Sequence, residues 1–191
     1  MMIRLFLFLT ILITINIGVL SQSVEFFQED LKFEISDSSF NVCGLYYFRN
    51  LTQDTIRQFL IYPFPNEKNY GKIDSVVIYN VQNNPKENEL SGFNNKGAYF
   101  IVNIKPKGTT IYQITYSQHL DSKKAKYILT TMNNWRNKLE KANFELSFPE
   151  DICIDSINFM PQTPFKKGDR IVWQWSRTDF MPANDVDIYL R

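Results

Sequence analysis

Apolar and polar residues alternate with a period of two through most of the chain beyond residue 21, the pattern of strands that bury one face. Leu31, Phe33 and Ile35 alternate with Lys32 and Glu34. Residues 41–48 form a second segment, apolar enough to predict burial on both faces. Further strands are predicted at 56–62, 73–80, 98–104, 110–117, 127–131, 144–148, 152–159, 170–177 and 186–190. Turn residues separate them at Pro63 to Asn66, Asn83 to Pro85, Pro106 to Gly108, Pro161 to Pro164 and Lys167 to Asp169. About ten strands at such short intervals leave no room for the crossover helices of a parallel sheet. The expectation is an all-β fold, an antiparallel β-sandwich, with an immunoglobulin-like arrangement as one version. The one helical candidate is 134–142, where Trp135, Leu139 and Ala142 share a face.

The first 21 residues break this pattern and read as an export signal. Arg4 supplies a positive start, an apolar core runs from Leu5 to Leu20, and Val19 and Ser21 stand where a signal peptidase reads. The core is 16 residues long, interrupted by Thr10, Thr14, Asn16 and Gly18, and short of the ~20 that cross a bilayer as a helix. Cleavage is therefore favoured over anchoring, with Gln22 as the new N-terminus, and residues 22–191 are expected to form a single sandwich domain. The implied setting is secreted or periplasmic, without membrane insertion after cleavage.

Charge narrows the choice of partners. The chain has 21 basic and 20 acidic side chains, and loss of Arg4 with the signal leaves the remainder formally neutral. Nucleic-acid binding rests on clustered Lys and Arg, so it is not expected. Lys123, Lys124 and Lys126 are read as a solvated turn. Two cysteines, Cys43 and Cys153, would form a disulfide in an oxidising compartment. Closing a loop of about 110 residues would stabilise the fold by at most about 4–5 kcal/mol. Two free thiols acting as small apolar residues are the alternative.

Little in the sequence suggests catalysis. His119 is the only histidine, there is no Gly-x-Ser-x-Gly elbow, and no glycine-rich phosphate loop occurs among seven glycines. Zinc sites built on several histidines are excluded by count, and no cofactor is implied. A glycosidase needs two carboxylates flanking one bond, and nothing selects such a pair; Glu150 and Asp151 adjoin Pro149 as turn residues. Asp179, Asn184, Asp185 and Asp187 offer oxygen ligands for calcium, although their spacing fits no EF-hand loop. Asn50-Leu51-Thr52 is a glycosylation sequon, a weak signal.

Aromatic residues make up 15% of the chain and raise a sharper alternative. Trp173 and Trp175 alternate on one strand and share a face, with Trp135 available from elsewhere. Exposed, the three tryptophans would form a platform for a sugar or a protein; buried, they belong to the core, the reading that Ile171 on the same face favours.

Tyr127-Ile-Leu-Thr-Thr followed by Trp135, Leu139, Ala142 and Pro149, together with Arg177 to Pro182 and Asp185 to Leu190, resembles small exported bacterial proteins classed as domains of unknown function. The resemblance implies export and a β-sandwich, and carries no catalytic residues. The functional expectation is an exported binding or envelope-associated module for protein or carbohydrate partners. A carboxylate-dependent hydrolase acting on an extracellular polymer is the alternative.

Overall fold

Alternation in the two longest strands sets the architecture of the computed structural model, which describes residues 23–67, 70–83, 87–159 and 164–191. The export segment, Gln22 and parts of the turns at 83–85 and 161–164 lie outside these residues. Strands β1 (Val24–Ile35) and β2 (Ser39–Asn50) pair antiparallel and bury alternate side chains, including Leu31, Phe33 and Ile35 on one and Phe40, Val42, Tyr46 and Phe48 on the other. They are followed by β3 (Ile56–Pro63), β4 (Ile73–Asn80), β5 (Leu90–Asn94), β6 (Gly97–Ile104), β7 (Thr109–His119) and β8 (Lys124–Tyr127). A 3-10 turn (Thr130–Trp135) then leads to β9 (Leu139–Pro149), β10 (Ile154–Ile157), β11 (Phe165–Lys167), β12 (Arg170–Phe180) and β13 (Val186–Leu190).

A seven-stranded sheet in the order β11-β12-β9-β1-β2-β7-β4 forms one layer. Two three-stranded sheets, β3-β6-β5 and β10-β13-β8, cover its inner face. Phe100 of β6 meets Tyr112 of β7 at 5.6 Å between ring centroids, Tyr62 of β3 meets Tyr116 at 5.9 Å, and Tyr127 of β8 meets Phe33 at 5.2 Å. All three sheets contribute to one continuous apolar core. The sandwich expectation holds, with more strands than the alternation revealed. Its large sheet exceeds the three or four strands of an immunoglobulin constant-domain layer.

Four expectations are corrected. The β1–β9 pairing is parallel, from Gln28 beside Lys141 to Glu34 beside Ser147, whereas the other ladders are antiparallel. The helix at 134–142 does not form. The 3-10 turn ends where Arg136 takes a left-handed φ of 57°, and Leu139 already begins β9. Leu139 and Ala142 are both buried because β9 changes side between them before settling into alternation, and this three-residue spacing imitates a helical stripe. Lys124 and Lys126 lie on β8 rather than in a turn, and Lys126 stands 3.2 Å from Glu67, 3.8 Å from Asp185 and 3.7 Å from Asp187.

The fourth concerns the cysteines, which are both free. Cys43 alternates with the buried residues of β2 and so faces outward from the large sheet. Cys153 is exposed beside β10, whose sheet packs against the opposite face. The large sheet thus stands between the two sulfurs.

Candidate binding site

An irregularity in β1 creates the most unusual group in the molecule. Val24 and Phe26 are buried at the start of the strand and Leu31, Phe33 and Ile35 at its end, so the inward face passes from even to odd positions. A register shift between Phe26 and Gln28 makes the change, as an extra residue in a strand does. Glu29 is the first inward residue after it, only 1% exposed, and its Oε1 has no hydrogen-bond partner among the described residues. Burial, aided by the neighbouring charge of Asp30, pushes its carboxyl up to about 8.

Three tyrosine hydroxyls from three strands meet beside it. Tyr46 on β2 shares hydrogen bonds with Tyr62 on β3 at 2.8 Å and Tyr127 on β8 at 2.9 Å. Tyr46 leans along its strand over Gly44, where a Cβ would collide with the ring, so the missing side chain at 44 makes room for the cluster. Burial holds all three phenols well above their ordinary range.

Glu29 and these tyrosines line a cavity of about 70 Å3, several times the roughly 10–15 Å3 that admits one water. Its other walls are mainly apolar and aromatic, among them Phe26, Phe48, Leu60, Phe100, Met132 and Trp135. Trp135 packs 5.9 Å from Phe26 and 5.6 Å from Phe48. No Lys, Arg or His is among the described lining residues. Leu60, Ile61, Pro63, Thr131 and Trp135 also line a groove running beside β3, so the cavity adjoins the surface there.

The 3-10 turn that carries Thr131, Met132 and Trp135 is fixed from the far end of the chain. Asp185 Oδ1 accepts from the backbone N–H of Leu129 and of Thr130, both at 3.0 Å, and from the Thr130 hydroxyl at 2.8 Å. A carboxylate thereby satisfies donors at the start of a turn, as a capping residue does.

The residues singled out in the sequence scatter. Of the three tryptophans, Trp135 alone lines the cavity. Trp175 is 2% exposed and stacks on Phe144 at 5.3 Å with an interplanar angle of 6°, while half-buried Trp173 meets Phe148 edge to face at 5.3 Å. These two belong with the core and no three-tryptophan platform is assembled. Asp185 and Asp187 share Lys126, whereas Asp179 pairs with Lys138 at 3.6 Å, so the calcium candidates do not converge. No group of three or more potential metal ligands occurs among the described residues. His119 is exposed 3.5 Å from Asp121, Glu150 pairs with Lys166, and Asp151 lies in an exposed turn. The Asn50 amide is buried and donates to the carbonyls of Asp54, Ile104 and Lys105, so the nitrogen a glycan would need is occupied in the folded chain.

Glu29 itself escaped the pattern reading. Extending the alternation of Ile35, Phe33 and Leu31 back by one step lands on Glu29, a carboxylate in an apolar register, and that was the available signal. The convergence of Tyr46, Tyr62 and Tyr127, separated by up to 81 residues, leaves no such local trace.

The fold and site define an all-β domain with a small, mostly apolar pocket closed by one carboxyl. A family model described as a domain of unknown function (DUF4424) matches residues 101–189, in keeping with the resemblance seen in the sequence. A candidate nutrient-binding protein from Legionella pneumophila has a similar structure, with a TM-score of 0.62 and 15% identity over 88% of this chain and 67% of that one. An M1 zinc metallopeptidase from Deinococcus radiodurans is also similar, with a TM-score of 0.54 and 6% identity over 88% of this chain and 43% of the enzyme. At these identities the likeness is one of fold, and this chain spans less than half of the peptidase. A zinc-binding H-E-x-x-H motif needs two histidines and this sequence has one. Comparison with curated proteins gave no match.

Proposed function

We propose that the chain is an exported binding module for a partner in the cell envelope or extracellular space, and that the partner inserts one small group into the pocket at Glu29. The observation that carries this reading is the buried Glu29 carboxyl, whose Oε1 has no hydrogen-bond partner among the described residues, set at the wall of an aromatic cavity. Leaving such a group unpaired costs about 1–3 kcal/mol or more, and binding sites are where folds retain costs of that kind. The character of the lining agrees with small-molecule sites in general, which combine apolar walls with a few placed polar groups. The fold shared with a candidate nutrient-binding protein supports the same class. Among the described residues lining this cavity Glu29 is the one acid, so the cavity itself does not hold the two carboxylates of a glycosidase.

Nuclear magnetic resonance of the purified protein tests the pocket, using 1-butanol, butyramide, butylamine and butyrate at millimolar concentrations. Saturable movement of the Trp135 indole resonance with at least one of them is expected, together with its loss in Leu60→Trp, which fills the shared wall of cavity and groove. An indole signal unmoved by every probe would overturn the reading. The export component is tested separately by N-terminal sequencing of the native protein, which is expected to begin at Gln22; an intact Met1 would refute it.

A further inference from the structure

We infer that the group received by this pocket is a primary ammonium on an unbranched apolar stem, held by the Glu29 carboxylate, the tyrosine oxygens and the surrounding rings. The inference rests on the binding reading above and specifies its ligand.

Three classes of head group can be weighed against the walls. An anion would meet a carboxyl and aromatic faces, with no Lys, Arg or His among the described lining residues to pair with it. A neutral acceptor would gain at most a hydrogen bond from the protonated acid. A cation gains an ion pair in a dry setting together with attraction to ring faces, which strengthens as water is excluded. A primary ammonium also brings three donors. Glu29 Oε1 is unpartnered, and two hydrogen bonds among three tyrosine hydroxyls leave oxygen lone pairs over, so acceptors are available for those donors. The size of the site agrees. A cavity of about 70 Å3 suits a compact head, and the stem can lie along Leu60, Ile61 and Pro63 where cavity and groove adjoin.

Proton balance makes the inference measurable. The groups facing Glu29 are Tyr46 on β2, Tyr62 on β3 and Tyr127 on β8, with Asp30 beside it on β1, and none is a cation. In the free protein below pH 8 the carboxyl therefore holds its proton. When an ammonium enters, the Glu29 O–H bond breaks, the carboxylate pairs with the cation, and the proton leaves to solvent. No covalent bond to the ligand forms. Affinity should then rise with pH below about 8, approaching tenfold per unit.

The same chemistry is carried by a free alkylamine and by a lysine side chain of a protein partner. Calorimetry with butylammonium, N-acetyl-lysine-amide and 1-butanol, at pH 6.5 in phosphate and in ACES, two buffers of different ionisation enthalpy and neither a primary amine, separates the possibilities. Butylammonium is expected to bind at least tenfold more tightly than 1-butanol and to release close to one proton per ligand, and E29Q should abolish that preference while still binding the alcohol. Comparable binding of N-acetyl-lysine-amide supports a protein source, and its exclusion supports a free amine. An alcohol that binds as well as the amine, or an amine that binds without proton release, would overturn the ammonium inference and leave the pocket standing. Binding of none of the three would overturn the ammonium inference, and the pocket reading falls with it if butyramide and butyrate also leave Trp135 unmoved. The proton measurement uses the unaltered protein, so the test survives if E29Q does not fold.

Discussion

Glu29 ties the stability of the protein to pH through a single carboxyl. Its value is about 8 in the folded chain against 4.5 for an ordinary glutamate, so between those limits the folded state holds a proton that the unfolded state has lost. Stability from this group is full below about pH 4.5, falls as pH rises through the window, and levels off above about 8. The slope approaches about 1.4 kcal/mol per pH unit, a total of roughly 3–5 kcal/mol. Glu29→Gln keeps the shape and removes the charge, so its unfolding free energy should lack this component. Urea unfolding of both proteins at pH 5 and pH 8 gives the answer: the variant should gain a few kcal/mol on the wild type between the two, and parallel changes would show that Glu29 ionises freely. The same residue shows how far a site can be read from sequence. Its inward register was legible from the alternation running back through Leu31, but no residue type announces the shift between Phe26 and Gln28 that also turns Val24 and Phe26 inward.

The elements differ in how openly the sequence declares them. The segments 73–80 and 186–190 match β4 and β13 to the residue, because each is a run rich in β-branched and aromatic residues. β5 and β11 went unseen, being short and mostly exposed, with too few buried positions to set a period. The 3-10 turn went unseen, with a strand predicted at 127–131 and a helix at 134–142, and its start is held by Asp185, some 55 residues away. That dependence gives a prediction. Asp185→Ala leaves the N–H groups of Leu129 and Thr130 without their acceptor and also removes a neighbour of Lys126. A loss of about 1–3 kcal/mol is expected, typical of an abolished cap or unsatisfied buried donors. Hydrogen exchange should quicken first at Leu129 and Thr130, and the Trp135 resonance should broaden as its support loosens. Protection unchanged at those two amides would mean that the wall of the pocket is held by its apolar contacts alone.

Across the whole molecule, the centre of the large sheet is built from the two ends of the chain's order. β1 lies between β2 and β9, and its parallel pairing with β9 joins residues about 113 apart, such as Asp30 and Asn143. The matched segment 101–189 therefore is not a structural unit by itself. It contains β7 and β9, but these are separated in the sheet by β1 and β2, which it lacks. Without them, β9 loses the neighbour that covers one edge, and Phe144 and Leu146 lose Leu31 and Phe33 as partners in register. The small sheet β10-β13-β8 would keep its own strands but have only part of an inner face to cover, with Tyr127 deprived of Phe33 and Tyr46. Unpaired sheet edges and exposed apolar faces favour association over folding. The fragment 101–191 expressed alone should show no cooperative urea transition and should aggregate, while the chain with β1 to β6 restored unfolds in one sigmoidal step. Adding a separately made 23–100 fragment should recover part of the folded signal, because the missing strands are then supplied in trans. A fragment 101–191 that stays monomeric and unfolds cooperatively would show that the matched segment folds by itself, against the interleaving that places β1 at the centre of the sheet.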